Sequence, residues 1–259
     1  MARRRQRGEA KLTSFGNLRG VPAPATLPPP GLAERDPAWA RLVSVPDLDE
    51  MGRTFHVLDT GPTEAALTLL CVHGNPSWSY LWRDLLARAP EGVRVIAVDH
   101  LDMGFSERTG TIRRLAQRID DLDALSAHLD LAGPVVAVGH DWGGPISLGW
   151  AQRHRERLAG IVLANTAVHQ PPHSPAPRLI RMARTPALLE SSTVKTAAFV
   201  RGAIELSRPR PSAAVREAYL APYRTAARRA AVGAFVADIP LDPSHPSAGT
   251  LDQVAAGLE

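Results

Sequence analysis

Residues 134–153, PVVAVGHDWGGPISLGWAQR, restrict the fold of this chain more than any other stretch. An apolar run, Pro134–Val138, meets a glycine-rich turn, and the helical pattern Pro145–Arg153 follows at once. The turn, Gly139-His140-Asp141-Trp142-Gly143, matches the nucleophile-elbow pattern with Asp in place of the usual Ser. Gly139 and Gly143 let the backbone tighten and clear space around the central residue. The start of the following helix favours negative charge at the turn. Helix capping is the plainer role for Asp141; the preceding strand and the glycine spacing favour the nucleophile.

The rest of the chain supplies the frame such a turn needs. Strands are expected at Leu42–Val45, Thr54–Asp59, Ala66–Val72, Val93–Val98 and Leu158–Ala164, beside the one entering the elbow. Ala66–Val72 is continuously apolar, the pattern of a strand buried on both faces. Tyr80–Ala87 reads as helical. Ile112, Leu115, Ile119, Leu122, Leu125 and Leu129 recur at three- and four-residue steps, an amphipathic helix. Strands alternating with helices imply an α/β fold with a mostly parallel sheet covered on both faces.

Four segments are expected: a flexible or extended Pro-rich leader over 1–35, a core over 36–166, a helical cap over 167–246, and the start of a return to the core over 247–259. The cap is expected to hold short helices at Leu179–Ala183, Ala197–Leu206, Ala213–Leu220 and Thr225–Val236. Thr250 is a plausible N-cap for a last helix.

Chemistry enters through charge. A carboxylate, with an ordinary pKa of about 3.9, is ionised at neutral pH and attacks without a base. Attack on a saturated carbon gives an alkyl ester and a leaving group that needs stabilising. His73-Gly74-Asn75-Pro76 directly follows the buried strand ending at Val72. The Asn75 amide and the Trp142 indole N–H are donors suited to a departing halide or an oxyanion. Asp99, Gly104 and Ser106 after the next strand read as a structural turn. His140 is expected to point away from the site, and His245 and Asp242 to belong to ordinary Pro-rich loop structure.

Three stretches, HGNPSWSYLWR (73–83), DHLDMGFSER (99–108) and GHDWGGPISLGWA (139–151), resemble the haloalkane-dehalogenase and epoxide-hydrolase branch of the α/β-hydrolases. IVLANTAVHQP (161–171) and AYLAPYRTAARRAAVGAFVADIPL (218–241) are similar to the β-lactone decarboxylases of bacterial long-chain olefin biosynthesis. This resemblance implies the α/β-hydrolase fold with an inserted helical cap. It also implies Asp141 as nucleophile and Asn75 and Trp142 as oxyanion- or halide-stabilising groups. A long-chain β-lactone would be cleaved to a cis-alkene and carbon dioxide, with no cofactor. In some relatives this domain precedes a fused β-lactone synthetase, so that enzyme and others of olefin biosynthesis are the expected partners, beside a small hydrophobic substrate. A strict haloalkane dehalogenase and a truncated, non-catalytic hydrolase-like scaffold are the alternatives.

Against that pattern, Asn165-Thr166 stands where some dehalogenases place an acid. The strands expected to carry the catalytic acid and histidine would follow Glu259, so neither group is expected in this chain, and its sheet is expected to lack the last two strands. Leu158–Ala164 would then form an apolar sheet edge. Leu179, Ile180, Met182, Leu188, Leu189, Phe199 and Ile204 suit alkyl chains or equally ordinary cap packing. The net charge of +4 rests almost wholly on arginine. Arg113, Arg114, Arg118, Arg153, Arg155, Arg157, Arg228 and Arg229 are scattered and expected mostly on exposed faces, which argues against nucleic-acid binding. No run is long and apolar enough for a membrane span, and MARRRQR lacks a signal-peptide core. One cysteine, Cys71, permits no intrachain disulfide and fits a reducing cytoplasm. No His and carboxylate spacing suggests a metal.

Overall fold

A computed structural model describes residues 18–131, 133–168 and 178–258. Six strands form one sheet: β1 (Ala40–Val45), β2 (Arg53–Asp59), β3 (Leu67–Val72), β4 (Val93–Val98), β5 (Val135–His140) and β6 (Leu158–Ala164), in the spatial order β1-β2-β4-β3-β5-β6. β1 and β2 are antiparallel to their neighbours, whereas β4, β3, β5 and β6 run parallel. β3 lies at the centre because its sequence allows burial on both faces: Leu70, Cys71 and Val72 are fully buried. Central position and parallel neighbours bring the C-terminal ends of β3, β4 and β5 together, the end of an open α/β sheet at which ligands bind.

The helices are α1 (Arg83–Ala87), α2 (Leu115–Ser126), α3 (Gly143–Arg153), α4 (Arg178–Ala183), α5 (Pro186–Glu190), α6 (Ala198–Leu206), α7 (Ala213–Leu220), α8 (Ala230–Ala237) and α9 (Ala248–Ala256). A 3₁₀ turn, Ser79–Trp82, replaces the first half of the helix expected from Tyr80. α5 and the π-helical turn Ser191–Lys195 were not expected from the pattern. Thr250 lies inside α9 rather than capping it; Ser247 holds the N-cap position.

α2 buries Leu115, Ile119, Leu122 and Leu125 against the sheet, each contributing about 2 kcal/mol by removal from water. The same helix corrects the expectation of exposed arginines. Arg118 is 1% exposed, and Arg113 and Arg229 are also buried. The Arg118 guanidinium lies 3.5 Å from the ring centre of Phe235 on α8. Arg113 pairs with Asp121 at 2.9 Å and with Asp49. Arg229 donates to the carbonyls of Val194, Tyr223 and Lys195. Arginine's long stem and forked head let it cross between cap and core where a shorter side chain could not reach.

The leader falls partly among the described residues. Residues 1–17 lie outside them, while Leu18 is buried and Ala23 bridges to Arg108 in antiparallel fashion. On the other side of the sheet, β6 is the outermost described strand, and Ile161, Val162 and Leu163 are exposed at 39%, 52% and 42%. Among the described residues no helix is long and apolar enough to cross a membrane.

Candidate active site

The elbow forms where β5 ends and α3 begins. Asp141 adopts φ +52°, a left-handed conformation seldom taken by residues other than glycine, Asn and Asp. The strain is held from two sides. Thr166 Oγ1 and the Gly144 N–H both donate to the Asp141 carbonyl, at 2.6 and 2.9 Å. The Asp141 N–H donates to the Ala164 carbonyl on β6 at 3.3 Å. Such a turn lifts the side chain clear of the sheet and aims it at the loop after β3.

That loop receives it closely. The backbone N–H of Asn75 donates to Asp141 Oδ1 at 2.7 Å, and the backbone N–H of Trp142 also holds the carboxylate. Burial nevertheless dominates and raises the Asp141 pKa above the ordinary carboxylate value; the two N–H groups and His140 oppose the rise. The carboxylate is therefore poorly solvated but fixed in direction.

Asn75 corrects part of the expected arrangement. The contact to Asp141 comes from its backbone, while its side-chain Nδ2 donates to the Val232 carbonyl on α8 at 3.1 Å. One amide N–H therefore ties the core loop to the cap, and one remains for a ligand. The Trp142 indole lies 5.8 Å from the Phe235 ring, and no described residue accepts its N–H. Phe235 is in turn backed by Arg118. Cap helix α8 thus braces both expected stabilising residues.

Behind the site lies a buried histidine cluster. His73 Nδ1–H donates to the Gly74 carbonyl at 2.8 Å, and its Nε2 accepts the His100 N–H at 3.3 Å. His100 Nε2–H donates to the His73 carbonyl at 2.8 Å. Burial lowers His73 to about 4 and holds His100 well below 6.5, so both are neutral at neutral pH. Asp99 accepts from His56 at 2.7 Å and from the N–H groups of Ser79 and Phe105; Gly104 takes φ +49° and Ser106 Oγ donates to the Asp99 carbonyl. These groups fix the turns that present Asn75.

A cavity of about 290 Å³ is lined by Asn75, Ser77, Leu81, His140, Ile204 and Tyr219, with Pro76, Ala203, Leu206 and Ser207; Asp141 and Trp142 are not part of this lining. His140, expected to point away from the nucleophile, lines this cavity beside Asn75. The signal was its position as the last residue of β5, at the ligand-binding end of a parallel sheet. Of the cap residues expected to suit alkyl chains, Ile204 lines this cavity. Leu189 is buried in a separate apolar cluster, Met182 and Leu188 are exposed, and the Leu179 side chain lies outside the described residues. His245 bonds the Ala237 carbonyl and Asp242 bonds the Ser244 N–H, so neither joins the elbow.

Comparison with known proteins agrees with this architecture. The family described as alpha/beta hydrolase fold matches residues 68–212. A cis-3-alkyl-4-alkyloxetan-2-one decarboxylase of Xanthomonas campestris is 38% identical over 80% of this chain and 72% of its own length. A haloalkane dehalogenase of Sphingobium indicum is 42% identical, but over 42% of this chain and 38% of its own. Among solved structures, the haloalkane dehalogenase DbeA from Bradyrhizobium elkani superposes with a TM-score of 0.72 and 26% identity, covering 85% of this chain and 76% of that one. From the elbow, the parallel sheet and these matches together, the chain belongs to the α/β-hydrolase fold family, as an enzyme of the dehalogenase-like and β-lactone-decarboxylase-like kind.

Proposed function

We propose that the chain is a β-lactone decarboxylase with Asp141 as nucleophile, converting a long-chain cis-β-lactone to a cis-alkene and carbon dioxide. The observation that carries this reading is the likeness to cis-3-alkyl-4-alkyloxetan-2-one decarboxylases, at 38% and 34% identity over about four fifths of the chain. The dehalogenase matches at 42% and 43% identity cover less than half of it.

The chemistry follows from a fixed, desolvated carboxylate. The Asp141 oxygen not held by the Asn75 N–H attacks the saturated ring carbon bonded to the ring oxygen. That C–O bond breaks, its electron pair goes to the oxygen, and the product is an alkyl ester on Asp141 carrying a free carboxylate. Asn75 and Trp142 donate to the oxygen on which charge develops. In the second step the bond between the carboxylate carbon and its neighbour breaks. Its electron pair forms the C=C bond and expels the Asp141 carboxylate, releasing carbon dioxide. Inversion in the first step followed by anti elimination in the second gives the cis-alkene from the cis-lactone. The cycle returns Asp141 without water. Dehalogenation leaves the same kind of ester, but hydrolysis must break it, with a base to activate the water.

The two routes separate cleanly in isotopic water. Incubation with a cis-3,4-dialkyl-β-lactone is expected to yield the cis-alkene, with no ¹⁸O from H₂¹⁸O entering Asp141 as read by peptide mass spectrometry. Halide release from chloro- or bromoalkanes, with ¹⁸O in Asp141 and no alkene from the lactone, would establish the dehalogenase instead. Neither product would leave the non-catalytic scaffold.

A further inference from the structure

Arg118 stands on α2 beside Ile119 and is 1% exposed. An arginine is almost never buried so deeply unless it is paired. Among the described residues no carboxylate forms an ion pair with Arg118, and its Nε and Nη1 have no hydrogen-bond partner. Three acids are near enough to attract it, and each is bonded elsewhere. Asp238 accepts from Arg114, the Leu115 N–H and Ser247; Asp102 accepts from Thr109; Asp121 pairs with Arg113. Burial lowers the Arg118 pKa to about 10, so the group is still charged at neutral pH. A buried charge left without a partner lowers the stability of a fold.

What the guanidinium does touch is a ring, the fully buried Phe235 of α8, whose centre lies 3.5 Å away. The face of an aromatic ring attracts a cation, most strongly where water is excluded. An alkyl side chain packs against any part of a ring, whereas a cation is drawn to its centre, so the charge fixes where the ring sits. Phe235 in turn meets Trp142 at 5.8 Å and His100 at 5.7 Å. The Trp142 backbone is set at the start of α3, but its indole turns about two side-chain bonds. Among the described residues Phe235 is the aromatic ring that meets that indole. The chain of contacts therefore runs from Arg118 through Phe235 to the direction of the Trp142 N–H.

Resting on the reading of Trp142 as a stabilising donor, we propose that Arg118 is a positioning residue: stacked on Phe235, it holds that ring against the Trp142 indole and so aims the indole N–H at the oxygen on which charge develops. Arg118 touches neither the substrate nor Asp141. It transfers no proton and acts only through the two rings.

The test compares the intact chain with Arg118→Met, Arg118→Lys, Trp142→Phe and the Arg118→Met/Trp142→Phe double variant on a cis-dialkyl-β-lactone, each kcat normalised to folded protein. Arg118→Met is expected to lower kcat about 10- to 100-fold, the loss that follows when a group acting on the transition state is misplaced by up to about an ångström. KM is expected to change by less than about 3-fold, because the donor acts as charge develops. The melting temperature is expected to hold or rise, since an unpaired buried charge has been removed. Arg118→Lys, which keeps a cation for the ring, is expected to turn over at least about 3-fold faster than Arg118→Met. In the Trp142→Phe background Arg118→Met is expected to change kcat by less than about 3-fold, because the donor it aims is gone. Wild-type kcat in Arg118→Met overturns the proposal while leaving the decarboxylase reading intact. So does a Lys variant as slow as Met, or losses that multiply in the double variant. Wild-type kcat in Trp142→Phe overturns the reading of that residue as a donor, absence of alkene from the unsubstituted chain overturns the decarboxylase reading, and the proposal falls with either.

Discussion

Asp141→Asn is expected to remove lactone turnover by on the order of 10⁴-fold or more, without loss of thermal stability. The amide keeps an oxygen for the Asn75 N–H at the position where Oδ1 now accepts at 2.7 Å. What it loses is the charge that makes attack possible without a base. The stability half follows from the direction of the pKa shift. Burial raises the carboxyl of Asp141 above its ordinary value. An acid whose pKa is higher in the folded than in the unfolded state contributes stability at low pH and loses it as pH rises through the folded value. At neutral pH the ionised carboxylate is thus a burden on the fold, and Asn lifts it, so the melting temperature should hold or rise. The acid limb of kcat/KM for the unsubstituted chain should likewise lie above the ordinary carboxylate range, because only ionised Asp141 attacks. Measuring the variant's turnover and melting temperature checks both halves. Activity above about one hundredth of the original would remove Asp141 from the mechanism, since no loss of a nucleophile is so mild.

Much of this arrangement was legible before any coordinates, for reasons that differ from element to element. β4 and β6 coincide with the expected strands because short apolar runs bounded by polar turns admit few alternatives. The elbow was legible because its glycines, strand and helix each constrain the same few residues. The buried arginines were not. Arg118 sits one residue from Ile119 on a helix whose pattern reads as amphipathic, and only the arrival of Phe235, over a hundred residues later, provides the surface that covers it. Asn75 was recognised as a donor, but which donor touches Asp141 depends on the closeness of two backbones, which no residue type encodes. His140 was read as part of the turn, whereas it is the last residue of β5 and lines a cavity beside Asn75.

Two glycines of the site should fail to different degrees when given a methyl group. At Gly74 an added Cβ would stand 2.2 Å from Asp141 Oδ1 and 2.5 Å from its Cβ. Rotation can move Oδ1 out of the Asn75 N–H, but Cβ is fixed by the elbow backbone, so the loop and the elbow must also separate slightly. Gly74→Ala should therefore cost about 2–3 kcal/mol of stability, and turnover of the folded protein about 10²-fold or more, since misplacement of a reacting group by about an ångström is that expensive. At Gly143 the same methyl would stand 2.0 Å from the carbonyl oxygen of Val72 and 2.8 Å from that of His73. Both belong to the backbone at the end of the central strand β3, where α3 packs against the sheet, so nothing can move without separating helix from strand. Gly143→Ala should cost about 3 kcal/mol or more, and its turnover should fall chiefly through the fraction of chain that stays folded. Urea titrations and kcat/KM on the two variants, each activity normalised to folded protein, separate these outcomes. A Gly74→Ala variant that retains full turnover would mean that Asp141 does not work from the position it holds here. A Gly143→Ala variant of unchanged stability would mean that the elbow and β3 are farther apart than 2.0 Å allows.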